Sequence, residues 1–366
     1  MSRRAADRTG RGLVDERRAP DVLPRSRAGL GGSPLESGAY VMPVELRRGG
    51  LHLSGTALWL DAHRKAPLAF VSHAHSDHIA RHERVIATRA TLRLMTHRLG
   101  ALPSSLPVPY NRPFELGALC LELLPAGHIL GSAQLRVIRS DGKRVTYTGD
   151  LNLESSQTAE SAQVAECDTL VLESTFGHPR YRFPPKSEVL GAIEAFARTT
   201  LERGATPVFL GYSLGKSQEV IRALTSGGHC VVAHASVCAV AEVYRSLGVE
   251  VGAVRRFDGT WLPGEVGVFP PHVWKFERLL RPWPRRTAVL TGWAVDPGTA
   301  RRYGADEAFP LSDHADFEGL LSYARATGAS EVLTHHGFAE ELAGALRDRG
   351  IEARPLGTVR QLDLFG

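Results

Sequence analysis

The sequence predicts an α/β protein: an αββα sandwich, two facing sheets with helices outside, interrupted by a smaller inserted α/β domain. Three observations predict it. The first segment after residue 40 is a series of short apolar runs broken by Gly, Pro and Asp; from about 176 to 305 helix-length and strand-length segments alternate; strand-length runs then return after Thr287. Short runs bounded by turn residues suit strands of a sheet, and strands alternating with helices imply parallel pairing through right-handed crossovers.

Residues 1 to 40 carry eight Arg against five acids and are expected to form a flexible tail. This start lacks the apolar core of a signal peptide, and Asp7, Asp15 and Glu16 do not suit a transit peptide. From Val41, "LHLSGTALWLD" and "APLAFVSH" read as strands, and "RATLRLMTHRLG" as a helix ending at Gly100. "LCLELLPAGH", "AQLRVI" and "RVTYTGD" read as three more strands, the last two joined by a hairpin turn at Ser140-Asp141-Gly142-Lys143. After "DTLVLEST" come "KSEVLGAIEAFARTTLERG" (helix), "TPVFLGYS" (strand), "KSQEVIRALTSGG" (helix), "HCVVAH" (strand) and "SVCAVAEVYRSLG" (helix). The strand-like segments "AVLTGW", "EAFPLSDHADF", "SEVLTHHG" and "IEARPLG" complete the chain, with two helices between them.

At 366 residues, 43% hydrophobic and 23% charged, the chain has the composition of a protein with a large buried core, which excludes disorder. Of the net charge of +5, three charges fall in the first 40 residues, so affinity for a polyanion has to come from local features. Cys120, Cys167, Cys230 and Cys238 match neither a zinc pair nor a disulfide framework; they are expected to be buried free thiols in a reducing compartment. No run of 18 apolar residues is present, so no membrane association is expected and the expected compartment is the cytoplasm. The fifteen histidines are the unusual count.

Histidines cluster at the end of the strand "LAFVS", in His73-Ala74-His75-Ser76-Asp77-His78. Three imidazoles and a carboxylate on one tight loop suit zinc and face two cations from one side. His128 in "PAGHILGS" and Asp150 in "YTGD" follow other strands, and Asp150 has one oxygen for each of two ions, the pattern of a two-metal hydrolytic site. "GYSLGKS" is not a nucleotide-phosphate loop, because only three residues separate Gly211 from Gly215 where four are needed; no nucleotide cofactor is expected. Such a strand-to-helix turn still suits a polynucleotide phosphate, with Lys216, Ser213 and Tyr212 as contacts. "HPRYRFPP" offers Arg180 and Arg182 for phosphates and Tyr181 and Phe183 for base stacking.

Taken in order, "SHAHSDH", "GH" and "TGD" resemble the metallo-β-lactamase superfamily. "LESTFG", "GYSLGKSQE", "TGWAV", "LSDHAD" and "THHG" resemble its β-CASP nuclease family, and "ESTFGHPRYRFPP" with "LGYSLGKSQE" resembles bacterial ligase-associated DNA exonucleases, also described as mRNA 3′-end processing exonucleases. The resemblance runs from about Val41 to the C-terminus. It implies a metallo-β-lactamase domain in two parts, 41–175 and 306–366, around a β-CASP insertion at 176–305. It implies two zinc ions, with manganese as the alternative: one on His73, His75, His128 and Asp150, the other on Asp77, His78, Asp150 and His336. His336 is preferred to His335 because the ligand precedes the glycine. Asp61 then orients a ligand histidine, Asp77 belongs to the catalytic group, and Glu173 holds His314, which protonates a departing 3′ oxygen. The implied activity is a DNA exonuclease of ligase-linked repair, with an ATP-dependent DNA ligase and a helicase as partners. Two alternatives stand beside it: RNA processing, because Glu173 and His336 are commoner in RNA-cleaving branches, and a small-ester metallo-hydrolase.

Overall fold

A computed structural model describes residues 43–276 and 284–357, and the expected N-terminal tail lies outside these. The first sheet runs in sequence order through β1 (Val44–Arg47), β2 (Gly50–Leu53), β3 (Leu58–Leu60), β4 (Leu68–Phe70), β5 (Val85–Ala87) and β6 (Ser105–Pro107). The second begins with an antiparallel meander, β7 (Phe114–Leu116), β8 (Leu119–Pro125), β9 (Ala133–Ile138) and β10 (Arg144–Tyr147). It continues in parallel through β11 (Thr169–Glu173). Two late strands, β18 (Glu331–His335) and β19 (Glu352–Pro355), complete it in the order β19-β18-β11-β10-β9-β8-β7.

The two sheets face each other across one core. Side chains alternate across a strand, so Ile86 of β5 and Val171 of β11 enter this core with Phe70, Leu121, Leu123, Leu135 and Leu333. Their neighbours point outward: Val85 and Ala87 meet helix α1 (Arg89–Leu99), capped by Thr88 and stopped at Gly100. Leu170 and Leu172 meet α7 (Phe317–Ala326) and α8 (Ala339–Arg347). This is the αββα sandwich the sequence predicts. The expected hairpin joins β9 to β10, with Arg139 and Lys143 closing the turn and Gly142 at φ +81°.

A third, wholly parallel sheet, in the order β14-β13-β15-β12-β16-β17, is formed by β12 (Thr206–Leu210), β13 (Cys230–Ala233), β14 (Val254–Arg256), β15 (Glu265–Phe269), β16 (Arg285–Leu290) and β17 (Glu307–Phe309). Helices α2 (Lys186–Glu202), α3 (Lys216–Ser226) and α4 (Ala235–Ser246) cover one face, and their core continues into α1 of the sandwich. Trp274 of α5 (Pro271–Phe276) packs with Val208, Leu210 and Val289 on the other.

Three sequence expectations need correction. The central strand β15 was not foreseen, because Gly267 interrupts "EVGVF"; a Cβ there would come within 2.6 Å of the Trp261 ring. The segment "EAFPLSDHADF" is a strand only to Phe309, after which Pro310 opens a loop that carries Asp313 and His314, and the third sheet extends to Phe309. Of the four cysteines, all free, only Cys167 is buried and Cys230 is exposed. No helix among the described residues is long and apolar enough to cross a membrane.

Candidate metal centre

The site is built at strand ends. β4 delivers Val71 and Ser72 into the loop of His73, His75, Asp77 and His78; β8 leads to His128; β10 leads to Asp150; β11 ends on Glu173 and β18 on His335. Gly149 lets Asp150 reach the first loop: it has φ +56°, and a Cβ there would lie 2.6 Å from Ser72.

His73 Nε2, His128 Nε2 and His78 Nε2 lie 3.4, 3.5 and 3.5 Å from Asp150 Oδ2. His75 Nδ1 is 3.1 Å from His73 Nε2 and 2.9 Å from His128 Nε2. Ligand atoms 2.0–2.1 Å from a tetrahedral zinc lie about 3.3 Å from one another, so the His73, His75, His128 and Asp150 donors have the spacing of a closed coordination set. Burial pushes the His73 and His128 imidazoles well below their ordinary pKa and brings His75 down to about 4, which keeps all three in the neutral, metal-binding form. These donors support divalent-metal use.

Of the second expected set, Asp77, His78 and Asp150 meet at His78 Nε2, with Asp77 Oδ2 at 3.7 Å. His336 stands farther off, exposed, its ring centre 6.1 Å from that of His78 and its backbone at φ +63°. Asp61, also left-handed at φ +44°, holds His78 Nδ1 at 2.9 Å and accepts from the Ser72 backbone N–H (2.6 Å) and the Tyr147 hydroxyl (2.8 Å). It therefore turns His78 Nε2 toward Asp150. Burial disfavours a charged His78, but Asp150 and Asp61 outweigh it and raise this imidazole to about 10, so a cation there must displace a proton.

Beside the donors stands the expected dyad. Glu173, fully buried, accepts from the Leu151 and Thr175 N–H groups and lies 3.0 Å from His314 Nδ1. His314 Nε2 faces Asp150 Oδ2 at 3.9 Å. Burial works against the imidazolium, yet Glu173 and Asp150 raise His314 to about 9, while His314 draws Glu173 downward against its own burial. An open cleft with a cavity of about 80 Å³ lies beside His314, lined by Asn152, Glu154, Phe183, Lys186, Ser312 and Asp316 among others.

The expected phosphate contacts are not drawn into this cluster. Lys216 is buried on the Asp313 carboxylate rather than presented at a surface turn. The Ser213 hydroxyl bonds that of Ser236, Arg180 pairs with Asp296, and exposed Arg182 pairs with Glu318. Tyr181 is fully buried among Phe176, Trp293 and Phe338 and has no face for a base. His335 is buried against Tyr147. Sequence reasoning did not single out Ser72, Tyr147 or Asp313. Ser72 and Asp313 lie inside the quoted motifs, but nothing in their spacing marks their partners.

Residues 54–206 match the family model described as a beta-lactamase superfamily domain. A protein of Opitutus terrae named "Probable DNA ligase" is 41% identical over 316 residues, 86% of this chain and 31% of that one. A ribonuclease of Thermus thermophilus is 28% identical over 206 residues, 46% of this chain and 47% of that one. The chain spans less than half the length of either relative. A crystal structure of an Enterococcus faecalis protein of unknown function shares the fold, with a TM-score of 0.55, 16% identity and coverage of 80% of this chain and 79% of that one. With the sandwich and the strand-end histidines beside this match, residues 54–206 belong to the beta-lactamase superfamily, in a chain similar to proteins named as a DNA ligase and as a ribonuclease.

Proposed function

We propose that the chain is a two-zinc phosphodiesterase acting on nucleic acid, a DNA exonuclease of ligase-linked repair, with manganese as the alternative metal. The observation that carries this reading is a proton donor set beside a converged donor set: His314, held by Glu173, aims Nε2 at the carboxylate that three other imidazoles share. One zinc would rest on His73, His75, His128 and Asp150, the second on Asp77, His78, Asp150 and His336. Bound there, the two cations supply a nucleophile at neutral pH and neutralise charge on the phosphate.

The chain's own residues account for the remaining steps. Asp61, supported by the Tyr147 hydroxyl, fixes the ring of His78. Glu173 keeps the proton of His314 on Nδ1 and stabilises the imidazolium, so Nε2 carries the proton that the departing 3′ oxygen takes. The cleft beside His314 would receive the strand. A small-ester hydrolase has no need of this acid dyad or of an inserted sheet. For the substrate, the longer similarity to a protein named as a DNA ligase favours DNA and a ligase as partner, with a helicase implied by the family resemblance. The RNA reading rests on Glu173, His336 and the ribonuclease relative.

End-labelled single- and double-stranded DNA and RNA of one sequence, digested with zinc or manganese present, separate these readings. Stepwise shortening of DNA from one end is expected. Cleavage of RNA alone would replace the DNA reading, and internal cuts would replace the exonuclease reading. The pH profile tests the acid. A raised pKa means that His314 holds its proton below the shifted value and loses it as pH rises through it. Cations on Asp150 remove part of its support and leave Glu173, so kcat should fall tenfold per pH unit above a limb between the ordinary 6.5 and about 9. Glu173→Gln should move that limb down by about one unit or more; an unmoved limb would show that His314 is not the acid.

A further inference from the structure

We infer that the buried Lys216–Asp313 ion pair is a positioning latch for two of the metal-facing histidines, through which the inserted sheet holds the His73, His75, His128 and Asp150 donor set in order. The inference rests on the metal-centre reading of that set and goes beyond it.

Two backbone carbonyls choose which nitrogen each of these rings offers. The Leu214 carbonyl, at the turn from β12 to α3, accepts from His75 Nε2 at 3.2 Å, which leaves Nδ1 free toward His73 and His128. The Asp313 carbonyl, in the loop after β17, accepts from His128 Nδ1 at 2.6 Å, which leaves Nε2 free toward His75 and Asp150. A carbonyl on one imidazole nitrogen fixes the tautomer and the ring plane of the other. The two carbonyls come from loops about a hundred residues apart, and the Lys216 ammonium on Asp313 Oδ1 joins those loops directly.

The pair is built in. Lys216 is 6% exposed and Asp313 is 3% exposed. Between Leu214 and Lys216, Gly215 has φ +96°, and a Cβ there would meet Ile129 Cγ2 at 2.7 Å and Asp313 Oδ2 at 3.1 Å. The turn is thus pressed against the residue that follows His128, and no other side chain fits at position 215. An ion pair withdrawn from water gains little net stability, so its placement between two imidazole-holding carbonyls assigns it to geometry. By contrast His78 is held by Asp61, whose carboxylate the Tyr147 hydroxyl supports, all from the sandwich, and is independent of the latch.

The test measures metal affinity by chelator competition and by the visible spectrum of Co²⁺ added to the metal-free full chain. Lys216→Met should weaken the ion at the four-donor set about 10- to 100-fold and change its Co²⁺ spectrum, with a much smaller effect on the ion at His78. Lys216→Arg, which keeps the ion pair, should restore most of the affinity. Because Lys216→Met strands a buried carboxylate and can unfold the chain, the double variant Lys216→Met with Asp313→Leu serves as the second arm. Replacing a buried ion pair by apolar side chains commonly preserves the fold, and this variant should stay folded while still binding the first ion weakly. Wild-type affinity and spectrum in the folded double variant would overturn the latch, as would Lys216→Met with unchanged metal binding and a raised KM, the signature of a phosphate contact. If the wild-type chain itself takes up no ion, it is the metal-centre reading that fails.

Discussion

Replacing Asp150 by Asn is expected to reduce nuclease activity at least a thousandfold and to lower the affinity for both metals. Asp150 Oδ2 lies within 3.5 Å of the Nε2 atoms of His73, His78 and His128, so it is common to both donor sets. An amide keeps the shape and loses the charge. The neutral oxygen attracts cations less, and the amide N–H₂ group faces imidazole nitrogens that need a cation between them. Asp150 is buried, and burial pushes its carboxyl above the ordinary range against the pull of His78 and His314. The wild-type chain should bind metal more tightly as pH rises, because Asp150 and Asp61 hold a proton on His78 that leaves when the ion enters. In the Asn variant the carboxylate that does most to raise His78 is gone, and this pH dependence should move to lower pH. Full activity in Asp150→Asn would mean that the shared-carboxylate geometry has no part in the reaction.

Replacing His314 by Ala should slow cleavage at least a hundredfold with metal content unchanged. Its nitrogen stands 3.9 Å from Asp150 Oδ2, farther than the three other rings, and its second nitrogen is engaged by Glu173. That is the placement of a proton donor beside the donor sets rather than of a member of them. A substrate whose leaving oxygen is already a weak base, such as a nitrophenyl phosphodiester, needs no proton; on it the variant should lose only a few-fold. Loss of a metal ion from His314→Ala would instead make His314 a ligand.

The donor residues were legible because their chemistry is local in the chain: four of them lie on one six-residue loop at a strand end, and His128 and Asp150 follow comparable strands. The dyad was legible only through the resemblance, since Glu173 and His314 are 141 positions apart and each alone is an ordinary residue. Lys216 shows why the rest was not. A Gly-Lys turn before a helix reads as an anion site on local grounds, and the partner that claims the ammonium lies 97 positions away, in a loop that the apolar pattern of "EAFPLSDHADF" disguised as strand. Tyr181 misled in the same way. Its Arg neighbours suggested a stacking surface, whereas its ring fills an aromatic cluster assembled from nearby Phe176 and two distant residues, Trp293 and Phe338. The positive φ values at Asp61 and His336 likewise belong to the folded chain, because Asp and His enter the left-handed region more readily than most residues yet usually lie outside it.

The most direct measurement is the metal content of the purified, folded chain by elemental analysis, taken alongside Asp150→Asn. About two zinc or manganese ions per wild-type chain, and substantially fewer in the variant, are expected from two donor sets sharing one carboxylate. A content near zero in folded, undamaged wild-type protein that still cleaves nucleic acid would contradict the two-metal reading.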